Sequence, residues 1–159
     1  MLAGLFAGAC SALTGGPDTG PSGGFPDVEG RWSGTFRTPS CTVSAPPLEG
    51  YCAELTTADP VPFVLTLAQF ESELVGSLQV ADAVIPLNGT ADAGGRILLS
   101  GSAAAPADGA GTVTIRIRDW DTTASGGHLA GGWASEAEAS ATGDTAQGTH
   151  VIVEAAKTG

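Results

Sequence analysis

The most regular stretch of the sequence is Thr112-Val113-Thr114-Ile115-Arg116-Ile117-Arg118-Asp119-Trp120. Apolar β-branched residues alternate there with threonine and arginine, and a period of two places successive side chains on opposite faces of a β-strand. The stretch therefore predicts a strand with Val113, Ile115 and Ile117 in a core and with its arginines outside.

Seven further segments have the same character, because short runs rich in apolar residues are separated by turn residues. They are Arg31–Arg37, Pro62–Leu67, Leu74–Val80, Ala83–Thr90, Arg96–Gly101, His128–Ala134 and Gly148–Ala155. About eight antiparallel strands joined by short turns predict an all-β, up-and-down β-barrel, because closure removes the two unpaired sheet edges. A two-sheet β-sandwich is the alternative.

The composition bounds the size and the partners of the domain. The chain has 159 residues, enough for one domain with a modest core. It contains 24 Gly, and 17 acidic against 6 basic residues give a formal net charge of −11. This charge repels phosphate backbones, so we expect no nucleic-acid partner.

The N-terminal segment ends in Ala7-Gly8-Ala9-Cys10 and resembles the lipobox of bacterial lipoproteins. The resemblance implies cleavage before Cys10, whose thiol then carries diacylglycerol. It divides the chain into a signal peptide (residues 1–9), a flexible Gly- and Pro-containing tether (10–28) and a β-barrel domain (29–156). The protein is then expected to be exported and held in the cell envelope by a lipid anchor in the membrane.

The segment departs from the lipoprotein pattern at two points. Ala7 stands where the family usually has Leu, and no Lys or Arg precedes Arg31. Because signal peptides normally begin with a basic residue, we expect translation to start upstream, with a basic segment before Met1.

The two other cysteines, Cys41 and Cys52, form an even pair. In an exported chain such a pair is most simply a disulfide, which here closes the loop Thr42–Tyr51. Two thiols without nearby histidines do not make a tetrahedral metal site. We therefore predict a structural disulfide and no metal.

The first predicted strand opens with Gly30-Arg31-Trp32, which resembles the Gly-x-Trp opening of lipocalin-like and avidin-like barrels. The resemblance implies that Trp32 plugs the closed end of the barrel, often beneath an Arg of the last strand. This chain offers only Lys157, placed after the predicted last strand. A general core role for Trp32 is the alternative.

The sequence offers little support for catalysis. His128 and His150 fall on different predicted strands, and no serine lies in a Gly-x-Ser-x-Gly elbow. Two carboxylate pairs occur at a spacing of two, which places each pair on one face of a strand; they are Asp119 with Asp121 and Glu136 with Glu138. Two such groups could serve glycoside hydrolysis, but solvated outward faces explain them better. We predict no enzyme activity and no cofactor.

The tryptophans indicate a binding site. We predict that Trp120 and Trp133, with Arg118, line a site for a small apolar ligand inside the barrel, in a cavity of roughly 300 Å³ or more. The alternative is that the tryptophans only fill the core. The protein would then be an interaction, structural or inhibitor-like module that contacts an envelope protein, with the loop Thr42–Tyr51 as a contact element.

Overall fold

The computed structural model describes residues 24–45, 48–107 and 110–159. The predicted signal peptide, Cys10 and most of the predicted tether lie outside these ranges. The elements are β1 (Gly30–Val43), α1 (Glu49–Leu55), β2 (Val61–Phe70), β3 (Glu73–Val80), β4 (Ala83–Ala91), β5 (Arg96–Ala107), β6 (Gly111–Ser125), β7 (His128–Ala139) and β8 (Thr145–Lys157). Within the described ranges, no helix has the length and apolar character needed to cross a bilayer.

The eight strands form a closed barrel in the order of the sequence, and each strand is antiparallel to the next. The barrel is closed by the pairing of β1 with β8, which begins at Trp32 opposite Lys157 and ends at Val43 opposite Ala146. The predicted all-β, up-and-down barrel is therefore confirmed. The two-sheet sandwich is excluded, because two separate sheets have unpaired edge strands, whereas every strand here pairs with two neighbours.

The barrel wall is uneven in height. Strands β2, β3 and β4 have 10, 8 and 9 residues, whereas the other five have 12 to 15. Pairing of β4 with β5 extends only from Ala91 opposite Ile97 to Leu87 opposite Gly101. The residue of β4 before Leu87 is Pro86, which has no N–H to donate. We call β2–β4 the short wall and the other five strands the tall wall. The end where β1 finishes is the upper end, and the end where β1 starts is the lower end.

The lower end of the barrel is filled by Trp32, whose side chain is 1% exposed. Its indole Nε1 donates to the carbonyl oxygen of Val28 at 3.0 Å. The ammonium of Lys157 lies 6.0 Å from the centroid of the Trp32 ring and pairs with Asp27 at 3.0 Å. Lys157 is the last residue of β8, so this strand extends two residues beyond its predicted end at Ala155.

The folded domain reaches further toward the N-terminus than the sequence indicated. Val28 was assigned to the tether, but its side chain is completely buried in the barrel core. Its backbone N–H also donates to Oε1 of Gln69 at 2.9 Å. Val28 therefore belongs to the folded domain, because these contacts hold the residue against the lower end.

Close approach of neighbouring strands explains glycines inside the barrel. A Cβ atom at Gly89 of β4 would lie 1.9 Å from the carbonyl oxygen of Leu98 in β5, and at Gly34 of β1 it would lie 2.2 Å from that of Glu154 in β8. Only glycine fits such positions, which occur where a sheet bends sharply. The small barrel circumference therefore depends on them.

We expect Gly89→Ala to lower the free energy of unfolding by about 2 kcal/mol, because the added methyl group must displace backbone of β5. Urea denaturation followed by circular dichroism measures this loss. Gly50→Ala in α1 is the matched control, since no atom lies within 4 Å of its added Cβ. The control should be neutral or slightly stabilising. A Gly89→Ala protein as stable as the wild type would contradict the packing argument.

Candidate functional site

A cavity of about 140 Å³ lies at the upper end of the barrel, between α1 and the short wall. Its lining is mostly apolar. The barrel contributes Phe36, Val61, Leu78, Val80, Ala83, Ile85, Ile115, Ile117, Trp133 and Ser135, the β3–β4 turn contributes Ala81, and α1 contributes Tyr51, Glu54 and Leu55. Since Ala81, Ala83 and Glu54 are exposed, the cavity can be reached from solvent along this rim.

The side chains above Trp133 explain why this space is unfilled. Along β7, the residues that point inward after Trp133 are Ser135, Ala137 and Ala139, and each is smaller than the aliphatic residues lower in the core. The helix α1 packs in this region, against β1 and β8 of the tall wall. The volume that α1 does not occupy, on the side of the short wall, is the cavity.

Trp133 is held firmly by other aromatic rings. It stacks on Trp120 with ring centroids 4.6 Å apart and contacts the ring of Phe36 edge-on at 4.8 Å. Trp120 lies on the far side of Trp133 and donates its indole N–H to the hydroxyl of Thr122 at 2.9 Å. Of the two tryptophans predicted to line a cavity, Trp133 does so, whereas Trp120 stacks on the Trp133 ring and does not line the cavity.

A β-bulge turns Trp120 inward. The register between β6 and β7 shifts between Arg118 and Asp121, and Asp119 has a φ of 49°. Because of this extra residue, Ile117 and Trp120 both face the core, although strict alternation would place them on opposite faces.

Arg118 does not belong to the cavity. Its side chain is 56% exposed, and its guanidinium lies 3.4 Å from Glu136. It lines a separate polar depression of about 320 Å³, together with residues of β1, β7 and β8. The predicted ligand site therefore keeps Trp133 and loses Arg118, since the outward face of β6 carries the arginine away from the interior.

Arginines bind both members of one of the two carboxylate pairs found in the sequence and one member of the other. Arg116 lies 3.3 Å from Glu136 and 2.7 Å from Glu138. Arg96 donates to both oxygens of Asp121, at 2.8 and 2.7 Å, and this lowers the pKa of the Asp121 carboxyl. Three of the four carboxylates thus take part in surface ion pairs, and Asp119 is exposed at the end of Arg116-Ile117-Arg118.

A line of four polar side chains runs from the cavity to the tall wall. The hydroxyl of Tyr51 is hydrogen-bonded to that of Ser135, whose Oγ lies 2.6 Å from Nε2 of His150. The Nδ1 of His150 lies 2.9 Å from Oγ1 of Thr38. We call these four residues the polar relay. It brings one hydrogen-bonding corner into an otherwise apolar cavity.

His150 is neutral at physiological pH. Its side chain is 2% exposed, and this burial lowers the pKa of the imidazole to about 4. A neutral imidazole has one donor and one acceptor nitrogen, which match its two partners in the polar relay. The residue thus fits its site as an uncharged link between Ser135 and Thr38.

The relay includes the serine–histidine contact used in nucleophilic catalysis, but its other features favour binding. In a catalytic triad a carboxylate orients the histidine, whereas here the hydroxyl of Thr38 does so. A general base works best when its pKa lies near the operating pH, and the pKa of His150 is well below it. In the described part of the chain, no three His, Cys, Asp or Glu side chains cluster to hold a metal ion.

The helix above the cavity is fastened to the barrel by the Cys41–Cys52 disulfide, with Cα atoms 5.6 Å apart. This confirms the predicted disulfide. Cys52 is adjacent to Tyr51, so the cross-link also places the phenol at the cavity. By the chain-entropy model, a link across 11 residues contributes about 2 to 3 kcal/mol.

We expect acid to destabilise the protein through His150. Its pKa is about 4 when folded against an ordinary 6.5, so the unfolded chain binds more protons between these values. Stability from the neutral imidazole is complete above pH 6.5 and is lost as pH falls toward 4, by about 3 kcal/mol. Urea denaturation between pH 7.5 and 4 measures the slope.

The matched variants for this experiment are His150→Gln and His128→Gln, because His128 is exposed. Carboxylates contribute the same background to all three proteins. The slope should become shallower in His150→Gln and remain unchanged in His128→Gln. Parallel pH profiles for His150→Gln and the wild type would show that burial of this imidazole does not control the acid response.

Comparison with known proteins identifies no relative of this chain. The chain matches no family model, no curated protein and no solved structure. The geometry of the cavity and of the polar relay is therefore the basis for a functional proposal.

Proposed function

We propose that this chain is a non-catalytic binding protein that holds one small, mainly apolar ligand in the cavity beneath α1. The observation that carries the proposal is the unfilled apolar space of about 140 Å³ beside Trp133. The cavity is open to solvent at its rim, so its aliphatic and aromatic lining remains in contact with water while the cavity is empty. An apolar occupant would remove this surface from water, which is favourable by about 25 cal/mol per Å².

The size of the cavity limits the ligand. Sites for drug-sized molecules usually measure about 300 Å³ or more, whereas an apolar cavity of about 150 Å³ stays dry and accepts a benzene-sized molecule. The cavity is smaller than the sequence-based expectation of roughly 300 Å³ or more. The ligand is thus a single aromatic ring or a short branched alkyl group, packed on Trp133 and Phe36.

The alternative from the sequence, a filled barrel acting only through its surface, receives less support. The proposed contact loop Thr42–Tyr51 begins in β1 and ends in α1, and the disulfide joins these two elements. Tyr51 turns toward the cavity from this segment, which favours a role in covering a ligand.

Toluene is the probe for this proposal. We expect it to bind the wild type and to raise the melting temperature as its concentration increases, because it binds only the folded state. Ile115→Phe fills the cavity and should weaken toluene binding at least tenfold, as measured by ligand-detected NMR. Val75→Phe is the control, since Val75 is 64% exposed on the outside of β3. Absence of toluene binding to the wild type would refute the proposal.

We also propose that the protein is exported and anchored to the envelope membrane through a lipid on Cys10. The lipobox-like Ala7–Cys10 segment supports this, as does the Gly- and Pro-containing segment that follows it. The disulfide adds support, because disulfides persist mainly in oxidising compartments outside the cytoplasm. A barrel on such a tether would meet its ligand in the envelope.

Expression from the native locus, with its own upstream sequence, tests the anchor. We expect the wild type to incorporate labelled palmitate and to enter the detergent phase on Triton X-114 partitioning, because two or more acyl chains give stable anchoring. Cys10→Ala should shift the protein to the aqueous phase, whereas Ser11→Ala should not. A wild-type protein without label, found in the aqueous phase, would rule out lipidation.

A further inference from the structure

The cavity has one polar corner that an apolar ligand alone does not explain. Tyr51 and Ser135 place hydroxyl groups on a surface that is otherwise lined by aliphatic and aromatic side chains, apart from Glu54 at the rim. Burial of hydroxyl groups costs free energy unless they are hydrogen-bonded. The corner therefore restricts which ligands fit.

Counting the protons of the polar relay shows what this corner can recognise. Tyr51, Ser135, neutral His150 and Thr38 each carry one mobile hydrogen-bonding proton, but only three hydrogen bonds join them. One proton is left over, and it can lie on Thr38, on Ser135 or on Tyr51, depending on the tautomer of His150 and on the direction of the Tyr51–Ser135 bond. Its position decides whether the cavity end accepts or donates.

The environments of the two ends favour one direction. If Tyr51 donates to Ser135, Ser135 to His150 and His150 to Thr38, the spare proton is on Thr38. Thr38 is half-buried in the tall wall, at an irregularity of the β1–β8 register, where the proton can reach water. The other tautomer of His150, which donates to Ser135, leaves the spare proton on Ser135 or on Tyr51. Both hydroxyls line the apolar cavity, so an unpaired proton there is the costlier arrangement.

In the favoured direction, the cavity end of the relay presents only lone pairs. The oxygens of Tyr51 and Ser135 then accept hydrogen bonds, so the complementary ligand group is a donor. Glu54 is the one ionisable carboxylate among the lining residues, and no Lys, Arg or charged His lines the cavity with it. A carboxylate or phosphate on the ligand would find no cation there.

We propose that the ligand is a small neutral molecule with an apolar body and one hydroxyl group, such as a phenol or a short alcohol. Its body packs on Trp133 and Phe36, and its hydroxyl donates to the oxygens of Tyr51 and Ser135. This inference rests on the proposed function, because it assigns the chemistry of a ligand in the same cavity.

Phenol and toluene form a matched pair of probes, because they differ only in a hydroxyl or methyl group on one ring. We expect the wild type to bind phenol at least as tightly as toluene, although water solvates phenol better. Tyr51→Phe and Ser135→Ala should each weaken phenol binding about tenfold and change toluene binding less than threefold. Ser102→Ala, on the exposed face of β5, is the control for a serine substitution.

The outcomes separate the two proposals. If toluene binds but phenol binds at least tenfold more weakly in the wild type, the hydroxyl inference is overturned and the apolar binding function remains. Equal losses for both probes in Tyr51→Phe and Ser135→Ala also overturn it, since the corner then acts only through packing. If neither probe binds the wild type, both proposals fail. Circular dichroism of each variant establishes that it is folded before binding is compared.

Discussion

The pairing of β1 with β8 is the interaction on which the rest of the structure depends, because it turns an eight-stranded meander into a closed barrel. Because the strands have unequal length, the tall wall extends above the short wall at the upper end, and no strand faces it there. The helix α1 partly covers this opening and is held there by the Cys41–Cys52 disulfide. The cavity is the remaining space, so its position follows from closure and from the short β2–β4 hairpins.

The distribution of bulky side chains determines the depth of that space. The chain is poor in aromatic residues, because it has only 3 Trp and 5 Phe but 24 Gly. Several of them meet in one layer, where Trp133 contacts Trp120, Phe36 and Phe63. Below this layer aliphatic residues and Trp32 fill the core, and above it the side chains of β7 are small. The aromatic layer is therefore a rigid floor for the cavity.

The sequence predicted the features that repeat or pair locally. Alternation in Thr112–Trp120 and the turn residues between strands indicated the barrel, and the even cysteine pair indicated the disulfide. The helix α1 was missed because it has only seven residues and no side-chain cap, and it depends on the disulfide and on packing. The polar relay was missed because β7 was predicted to end at Ala134, one residue before Ser135. The contact of Ser135 with His150 depends on the register of β7 against β8, which the sequence pattern of a single strand does not encode.

The polar relay and the disulfide have a common physical consequence for recognition. A ligand that closes a mobile helix over itself must offset the entropy of ordering that helix, whereas α1 is already cross-linked at Cys52, next to Tyr51. The hydroxyl of Ser135 is likewise oriented by His150 and Tyr51 before any ligand arrives. A site built to hydrogen-bond a ligand hydroxyl discriminates strongly against analogues that lack it, because the buried groups are then left unpaired. On the proposed function, the selectivity of this small cavity would come from its one polar corner, while its apolar walls would supply affinity.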